Sequence, residues 1–228
     1  MVIGRGMIAK AFARYNNDKQ VLIYASGVAN SAHTDNAEFE REKNLLLSSL
    51  QTSQDKTFVY FSTCSIDDKD VACSPYVLHK INMENLIRSM HHDYVIFRLP
   101  QVVGRSLTNR ATLVNYLYDK IMQGEHFIVW KNAVRYIIDV DDVSLIAGQI
   151  IDRKIMRNTT INIVSRPYSV LDIVTILEMI LGKKADYELV EKGTHHDIIH
   201  STASRIAEEL NIYFDKPYLE RILLKYYA

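Results

Sequence analysis

A tyrosine and a lysine four residues apart on a helix share one face, with Cβ atoms about 5–6 Å apart. Three such pairs occur, Tyr15/Lys19, Tyr76/Lys80 and Tyr116/Lys120, in a chain with fourteen tyrosines. The spacing alone therefore also describes ordinary surface pairs. Tyr76/Lys80 differs in what precedes it. Phe58-Val59-Tyr60-Phe61-Ser62-Thr63 reads as a buried strand ending in hydroxyl residues, and Ser74-Pro75 then opens the helix that carries Tyr76 and Lys80. A free phenol titrates near ~10, and a neighbouring ammonium favours the phenolate. With a Thr63 hydroxyl holding a substrate oxygen and Tyr76 moving a proton, the set suits acid–base chemistry at a sugar or alcohol carbon.

A second stretch has binding chemistry. The short apolar run Met1-Val2-Ile3 leads into Gly4-Arg5-Gly6-Met7-Ile8-Ala9, a Gly-x-Gly-x-x-Ala match with helical spacing continuing at Ile8, Ala11 and Phe12. The first glycine permits a tight strand-to-helix turn, the second lets a pyrophosphate approach the backbone, and the small Ala9 allows close helix packing. A plain strand–helix turn would use the same residues, and Arg5 could reach a phosphate or stay solvated. Val21 to Ala25 reads as a buried strand running into Ser26-Gly27-Val28-Ala29-Asn30-Ser31, small residues at the strand end where ligands bind in open parallel sheets. The dinucleotide fingerprint expects an acid ~20 positions beyond the glycines, and nothing acidic ends this strand.

The elements that must position these residues alternate. Asn36 to Leu50 reads as an amphipathic helix capped by Asp35, with Phe39, Leu45, Leu46 and Leu50 on its apolar face and Glu38, Glu40, Arg41, Glu42 and Lys43 on its polar one. Strand Thr57–Phe61, helix Pro75–His91 and strand Tyr94–Phe97 follow, which implies right-handed strand–helix–strand units and a parallel sheet. After Arg98 to Arg105 the pattern changes. Helices are expected at Thr112–Met122, from Asp139 to Ile151, and at Val170–Leu181, Ser201–Leu210 and Pro217–Tyr227. Strands are expected at Phe127–Trp130, Tyr136–Ile138, Thr160–Val164 and Ala185–Val190. This half reads as a smaller α/β lobe partly woven back into the sheet.

The 228 residues are 48% hydrophobic and 24% charged, enough for one core and one or two domains. The 27 basic and 27 acidic residues cancel, so no basic field points to nucleic acid. No apolar run approaches the ~18–20 residues that cross a bilayer, and the N-terminus does not read as a signal peptide. Cys64 and Cys73 make no metal framework, and a reducing cytoplasm is the default expectation. His33, His79, His91, His92, His126, His195, His196 and His200 have no metal-ligand spacing. Asp139, Asp141 and Asp142 fit helix caps and a solvated face better than a metal, so no metal is expected. His195-His196-Asp197 reads as a polar loop that could face a substrate, Trp130 as core packing that could instead stack on a base, and Cys64 as a small buried filler near the site.

In this order the motifs resemble the extended short-chain dehydrogenase/reductase superfamily, in its NAD-dependent nucleotide-sugar epimerase/dehydratase branch. Gly4 to Ala9 is similar to the cofactor loop, and Ser62-Thr63 with Tyr76 and Lys80 to the catalytic Ser/Thr…Tyr-x-x-x-Lys set. Phe97 to Gly104 is similar to a Leu-Arg-x-x-Asn-Val-Tyr-Gly stretch, and Arg135 to Val143 to an Arg-Asp-Phe-x-x-Val-Asp-Asp signature. The resemblance implies a shortened Rossmann-like doubly wound parallel sheet with a small C-terminal α/β substrate lobe. Residues 1–104 would form the nucleotide-binding core with 135–165 returning to it, and 105–134 with 166–228 the lobe. It implies catalysis by Thr63, Tyr76 and Lys80. It implies NAD or NADP held by Gly4, Arg5, Gly6, Met7, Ile8, Ala25, Ser26, Ser62, Lys80 and Pro100, with Arg5 available to the extra phosphate of NADP. Thr63, Gln101 and Arg135 would hold a nucleotide-sugar substrate, Arg135 at its diphosphate. A role in surface polysaccharide synthesis and a homodimer through the helices at 36–50 and 75–91 are implied as well. The sequence also departs from the pattern. The segment carrying the ribose-binding acid is missing between the glycine loop and Val21, Gln101 replaces the usual asparagine, and Asp67-Asp68 replace a Tyr-Gly pair. The alternative is a non-catalytic dinucleotide- or sugar-nucleotide-binding relative that has lost part of the cofactor site.

Overall fold

The computed structural model describes residues 1–31, 35–68, 71–104, 112–193, 198 and 201–228, with Ser201 described for its backbone only. His33, His195, His196, Asp197, His200 and Arg105 lie outside the described residues. In chain order the elements are β1 (Val2–Ile3), α1 (Met7–Ala11), β2 (Val21–Tyr24), α2 (Asn36–Gln51), β3 (Thr57–Thr63), α3 (Pro75–Met90), β4 (Tyr94–Leu99) and β5 (Gln101–Val103). They continue as α4 (Leu113–Gln123), β6 (Phe127–Trp130), β7 (Val134–Asp139), α5 (Val140–Arg153), β8 (Thr159–Asn162), β9 (Pro167–Ser169), α6 (Val170–Leu181), β10 (Tyr187–Val190), α7 (Ser201–Glu209) and α8 (Tyr218–Tyr227).

The central sheet is parallel throughout and runs β1-β2-β3-β4-β8. Its middle strands read as continuous apolar runs because helices cover both faces. Ile23, Val59 and Phe97 point to the side of α1, α5 and α7. Leu22, Tyr24, Phe58 and Tyr60 point to the side of α2 and α3. This is the Rossmann-like architecture implied by the alternating pattern. One expectation needs correcting. The steps β1→β2 and β2→β3 cross the sheet in the same direction, yet α1 packs on one face and α2 on the other. The two connections therefore have opposite hands and cannot both be right-handed. α1 is only five residues long, so the constraint that a full helix imposes on crossover hand acts weakly here. Among the described residues β1 is an edge strand paired with β2 alone.

A second core gathers Leu117, Ile121, Val129, Ile137, Ile173, Leu177, Leu219 and Ile222 from α4, β6, β7, α6 and α8. It includes a β5-β7-β9 sheet and a parallel β10-β6 pair. β5 and β9 were not expected, being three residues each and too short to show a period. Trp130 corrects the expectation of core packing, as it is 47% exposed on the outward side of β6.

Candidate active site

A cavity of about 760 Å³ opens where the carboxyl ends of β2, β3 and β4 face the second core. Its wall contains Gly6, Met7 and Ile8 from the turn after β1, Ala25 and Gly27 after β2, and Ser62 and Thr63 closing β3. Tyr76 and Lys80 line it from α3, Pro100 and Gln101 after β4, and Arg135 from β7. Of the expected site residues, Gly4, Arg5 and Ser26 do not line it. Gly4 sits behind the wall with φ +133°, where an added Cβ would lie 2.3 Å from the Ala25 carbonyl oxygen. Arg5 is exposed. Ser26 takes long 3.4 Å contacts from Arg41.

Local structure explains how these side chains are aimed. The Ser74 hydroxyl accepts from the Val77 amide at 3.3 Å and Pro75 fills the first turn, so α3 begins one residue before Tyr76. Tyr76 and Lys80 then share the buried face of α3 with Met83, Glu84 and Ile87. Thr63 caps the turn that follows β3, its Oγ1 accepting from the Ser65 amide at 3.1 Å. Beyond it Arg98 grips Glu84 through two bonds of 2.9 Å and reaches Asp67 at 3.2 Å, pinning that turn to β4 and α3. Burial would raise the Glu84 carboxyl, but bonds from Arg98 and Arg88 outweigh it and hold it below the usual carboxylate range. Cys64 is buried at the cavity wall, and burial raises its thiol above the usual range.

The three Tyr/Lys spacings part company in space. The Tyr15 hydroxyl is spent on Asp152 at 2.6 Å, on the far side of α1. Lys120 lies over the exposed Tyr116 ring and bonds Glu125 at the surface. Only Tyr76/Lys80 meets the cavity, with the ammonium 5.8 Å from the Tyr76 ring centroid.

Lys80 is not an isolated cation. Its Nζ is 3.0 Å from Oε1 and 3.2 Å from Oε2 of Glu42, and donates to the Tyr60 hydroxyl at 3.1 Å. Glu42 also receives the Tyr60 hydroxyl at 2.6 Å and the Val28 amide at 2.6 Å, and its Oε2 lies 3.0 Å from His79 Nε2. Burial pushes the Glu42 carboxyl up, but the Lys80 charge and the bonds from His79, Tyr60 and Val28 outweigh it, and its pKa falls to about 2. Gly27 makes room for the pair, since a Cβ there would lie 2.6 Å from Lys80 Nζ. Glu42 departs from the polar face of α2 expected of it. Its spacing from Phe39 and Leu46, three and four residues away, puts it on the buried stripe instead, and a carboxylate in that register was the signal available.

Gln101 packs against the start of α4. With its amide oxygen turned toward the helix it accepts from Leu113 and Val114, each at 3.1 Å. Arg135 donates to the neighbouring Val134 carbonyl at 2.7 Å, and no carboxylate among the described residues pairs with it. A smaller cavity of about 420 Å³ under α8 contains none of the expected site residues. Beside it Asp139 caps α5, and Lys225 bridges Asp139 and Asp141 at 2.7 Å each. No cluster of three metal-ligating side chains occurs among the described residues.

The wall fits a nicotinamide dinucleotide unevenly. Gly6 has open space where a Cβ would stand, and it lines the same cavity as Lys80 and Tyr76. At the other end β1 is the edge of the sheet among the described residues, and among them no strand beyond it brings an acid to an adenosine ribose.

The sequence profile of the NAD dependent epimerase/dehydratase family matches residues 8–163. No curated protein matches the sequence. Solved structures share the fold. A UDP-N-acetylglucosamine 4-epimerase from Methanobrevibacter ruminantium is 16% identical, covering 94% of this chain and 77% of its own, with a TM-score of 0.69. A UDP-glucuronic acid 4-epimerase from Bacillus cereus in complex with UDP-glucuronic acid and NAD is 20% identical over 95% and 79%, with a TM-score of 0.66. RMD from Pseudomonas aeruginosa complexed with NADPH is 13% identical over 98% and 95%, with a TM-score of 0.74.

Proposed function

The chain belongs to the NAD dependent epimerase/dehydratase family, and on that premise we propose that it is an NAD- or NADP-dependent epimerase, dehydratase or reductase acting on a nucleotide-activated sugar. The observation that supports this most is the convergence of Thr63, Tyr76 and Lys80 on one cavity beside the Gly6 turn. The cofactor, when bound, would supply the hydride acceptor or donor. Gly6, Met7 and Ile8 would hold its phosphates through loop amides, with Ala25, Ser62 and Pro100 along its length and Lys80 donating to it. The Thr63 hydroxyl would hold the reacting sugar oxygen, and Tyr76 would take or give the proton on that oxygen. Arg135, without a carboxylate partner among the described residues, would face the diphosphate, and Gln101 would line the sugar side. Surface polysaccharide synthesis in a reducing cytoplasm fits the two free cysteines, Cys64 and Cys73. The outward sides of α2 and α3 would form a homodimer.

A second reading is favoured by the open β1 edge: a binding protein that retains the cavity without turnover. One experiment separates them. Fluorescence titration with reduced NAD and NADP is expected to show binding, and Tyr76→Phe is expected to lower turnover of a UDP-sugar by about 10²–10⁴-fold with an unchanged melting temperature. Full activity in that variant would remove Tyr76 from the reaction. Absence of binding by either dinucleotide would leave the binding-protein reading.

A further inference from the structure

Glu42 reaches the site from α2, an element with no expected chemical role. Its side chain is 0% exposed and Lys80 is 2% exposed. Among the described residues, the partners of this carboxylate are donors or ionisable groups: Lys80, the Tyr60 hydroxyl, His79 Nε2 and the Val28 amide. An ammonium has three N–H donors. Both Glu42 oxygens and the Tyr60 hydroxyl lie within reach of Nζ. With the two carboxylate oxygens sharing one N–H and Tyr60 taking a second, the third is directed to the cavity that Lys80 lines. The positive charge 5.8 Å from the Tyr76 ring is thus matched by a negative charge 3.0 Å behind it.

We propose that Glu42 is a positioning residue of the Tyr76/Lys80 site: it anchors Lys80 against α2 and offsets its charge, so that Lys80 serves as a directed hydrogen-bond donor and not as an unopposed cation acting on Tyr76. The inference rests on Tyr76 and Lys80 being the reacting pair. Titratable and charged groups face this cluster from every packed element. They are Arg41 and Glu42 on α2, Tyr24 on β2, and Tyr60 on β3. Tyr76, His79 and Lys80 follow on α3, with Cys64, Asp68 and Arg135 along the cavity wall. An opposite charge within ~4–6 Å lowers a phenol's titration by about 1–3 units, and a like charge raises it. Replacing Glu42 alone exposes Tyr76 to the bare ammonium. Replacing Lys80 alone leaves the carboxylate facing it. Replacing both exchanges one neutral pair for another.

The test is a tyrosinate absorbance titration of the ligand-free protein, with each form read against its own Tyr76→Phe counterpart to isolate Tyr76. Glu42→Gln is expected to lower the midpoint by about one unit or more, and Lys80→Met to raise it. The Glu42→Gln/Lys80→Met double variant is expected to return within about half a unit of the native chain. The double variant buries no unpaired charge, so it decides the matter even where a single variant fails to fold. A native-like midpoint supports the proposal, and a midpoint a full unit or more above native overturns it. An unchanged midpoint in folded Glu42→Gln overturns it too. A merely structural Glu42 would not move this titration. The measurement needs no cofactor or turnover, so its failure is distinguishable from failure of the enzymatic reading.

Discussion

Burying the Glu42 carboxylate forfeits several kcal/mol of hydration, and the Lys80 charge with donors from Tyr60, His79 and Val28 offsets that loss. The pairing has a pH signature. The folded-state pKa is depressed to about 2 from an unfolded value of 4.5. A carboxyl with a depressed folded pKa contributes stability that is present above its unfolded pKa and lost as pH falls through the folded one. Stability on the order of 3 kcal/mol should therefore disappear between about pH 4.5 and 2. Chemical denaturation across that range is expected to show a shallower acid loss in the Glu42→Gln/Lys80→Met double variant than in the native chain. Part of the slope persists there, because Glu84 is depressed in the same direction by Arg98. Identical slopes in the two proteins would mean that Glu42 titrates alike in the folded and unfolded chain.

At the scale of elements, β1 and its turn carry an unusual burden. β1 has two residues and one neighbour, yet the turn after it must hold the Gly6 end of the cavity. Gly4 at φ +133° brings that turn against the Ala25 carbonyl. Gly4→Ala forces a side chain into a left-handed conformation at about 1–3 kcal/mol and drives its Cβ into backbone that cannot yield easily. The expected outcome is a lower melting temperature together with loss of reduced-dinucleotide binding by fluorescence. A fully stable, fully binding variant would show that the turn can rearrange freely. α2 is anchored differently. Asp35 caps it by accepting the Ala37 amide at 2.8 Å, and Leu46 and Leu50 lock it on the sheet. That rigidity lets one of its carboxylates serve the cavity from behind.

For the whole molecule, the parallel sheet carries apolar packing on both faces, and a further core lies among α4, α6 and α8 on the other side of the cavity. α2 and α3 pack side by side on the sheet, and Leu78 stands 48% exposed on the outer side of α3. The proposed homodimer would pair these helices with their copies. Light scattering is expected to give twice the monomer mass at micromolar concentration, and a monodisperse monomer would refute that assembly.

The alternation of strand and helix was legible in the amino-acid pattern because buried parallel strands are continuous apolar runs and their covering helices have a 3.6-residue stripe. The helix at Val170–Leu181 falls where expected for the same reason, whereas Phe127–Trp130 forms a strand of alternating burial. The Tyr76/Lys80 helix, its Ser74-Pro75 start and the Thr63 strand end are local chemistry, and local chemistry is written in sequence. The short strands β5 and β9 were not legible, since three residues show no period. Nor was the hand of the β1→β2 step, which depends on which face α1 finds to cover. Above all, tertiary structure decided what stands behind Lys80. Glu42 is 38 residues away in the chain. Only the packing of α2 and α3 on one face of the sheet brings that carboxylate within 3.0 Å of the ammonium and out of reach of water, and thereby sets the charge that Tyr76 faces.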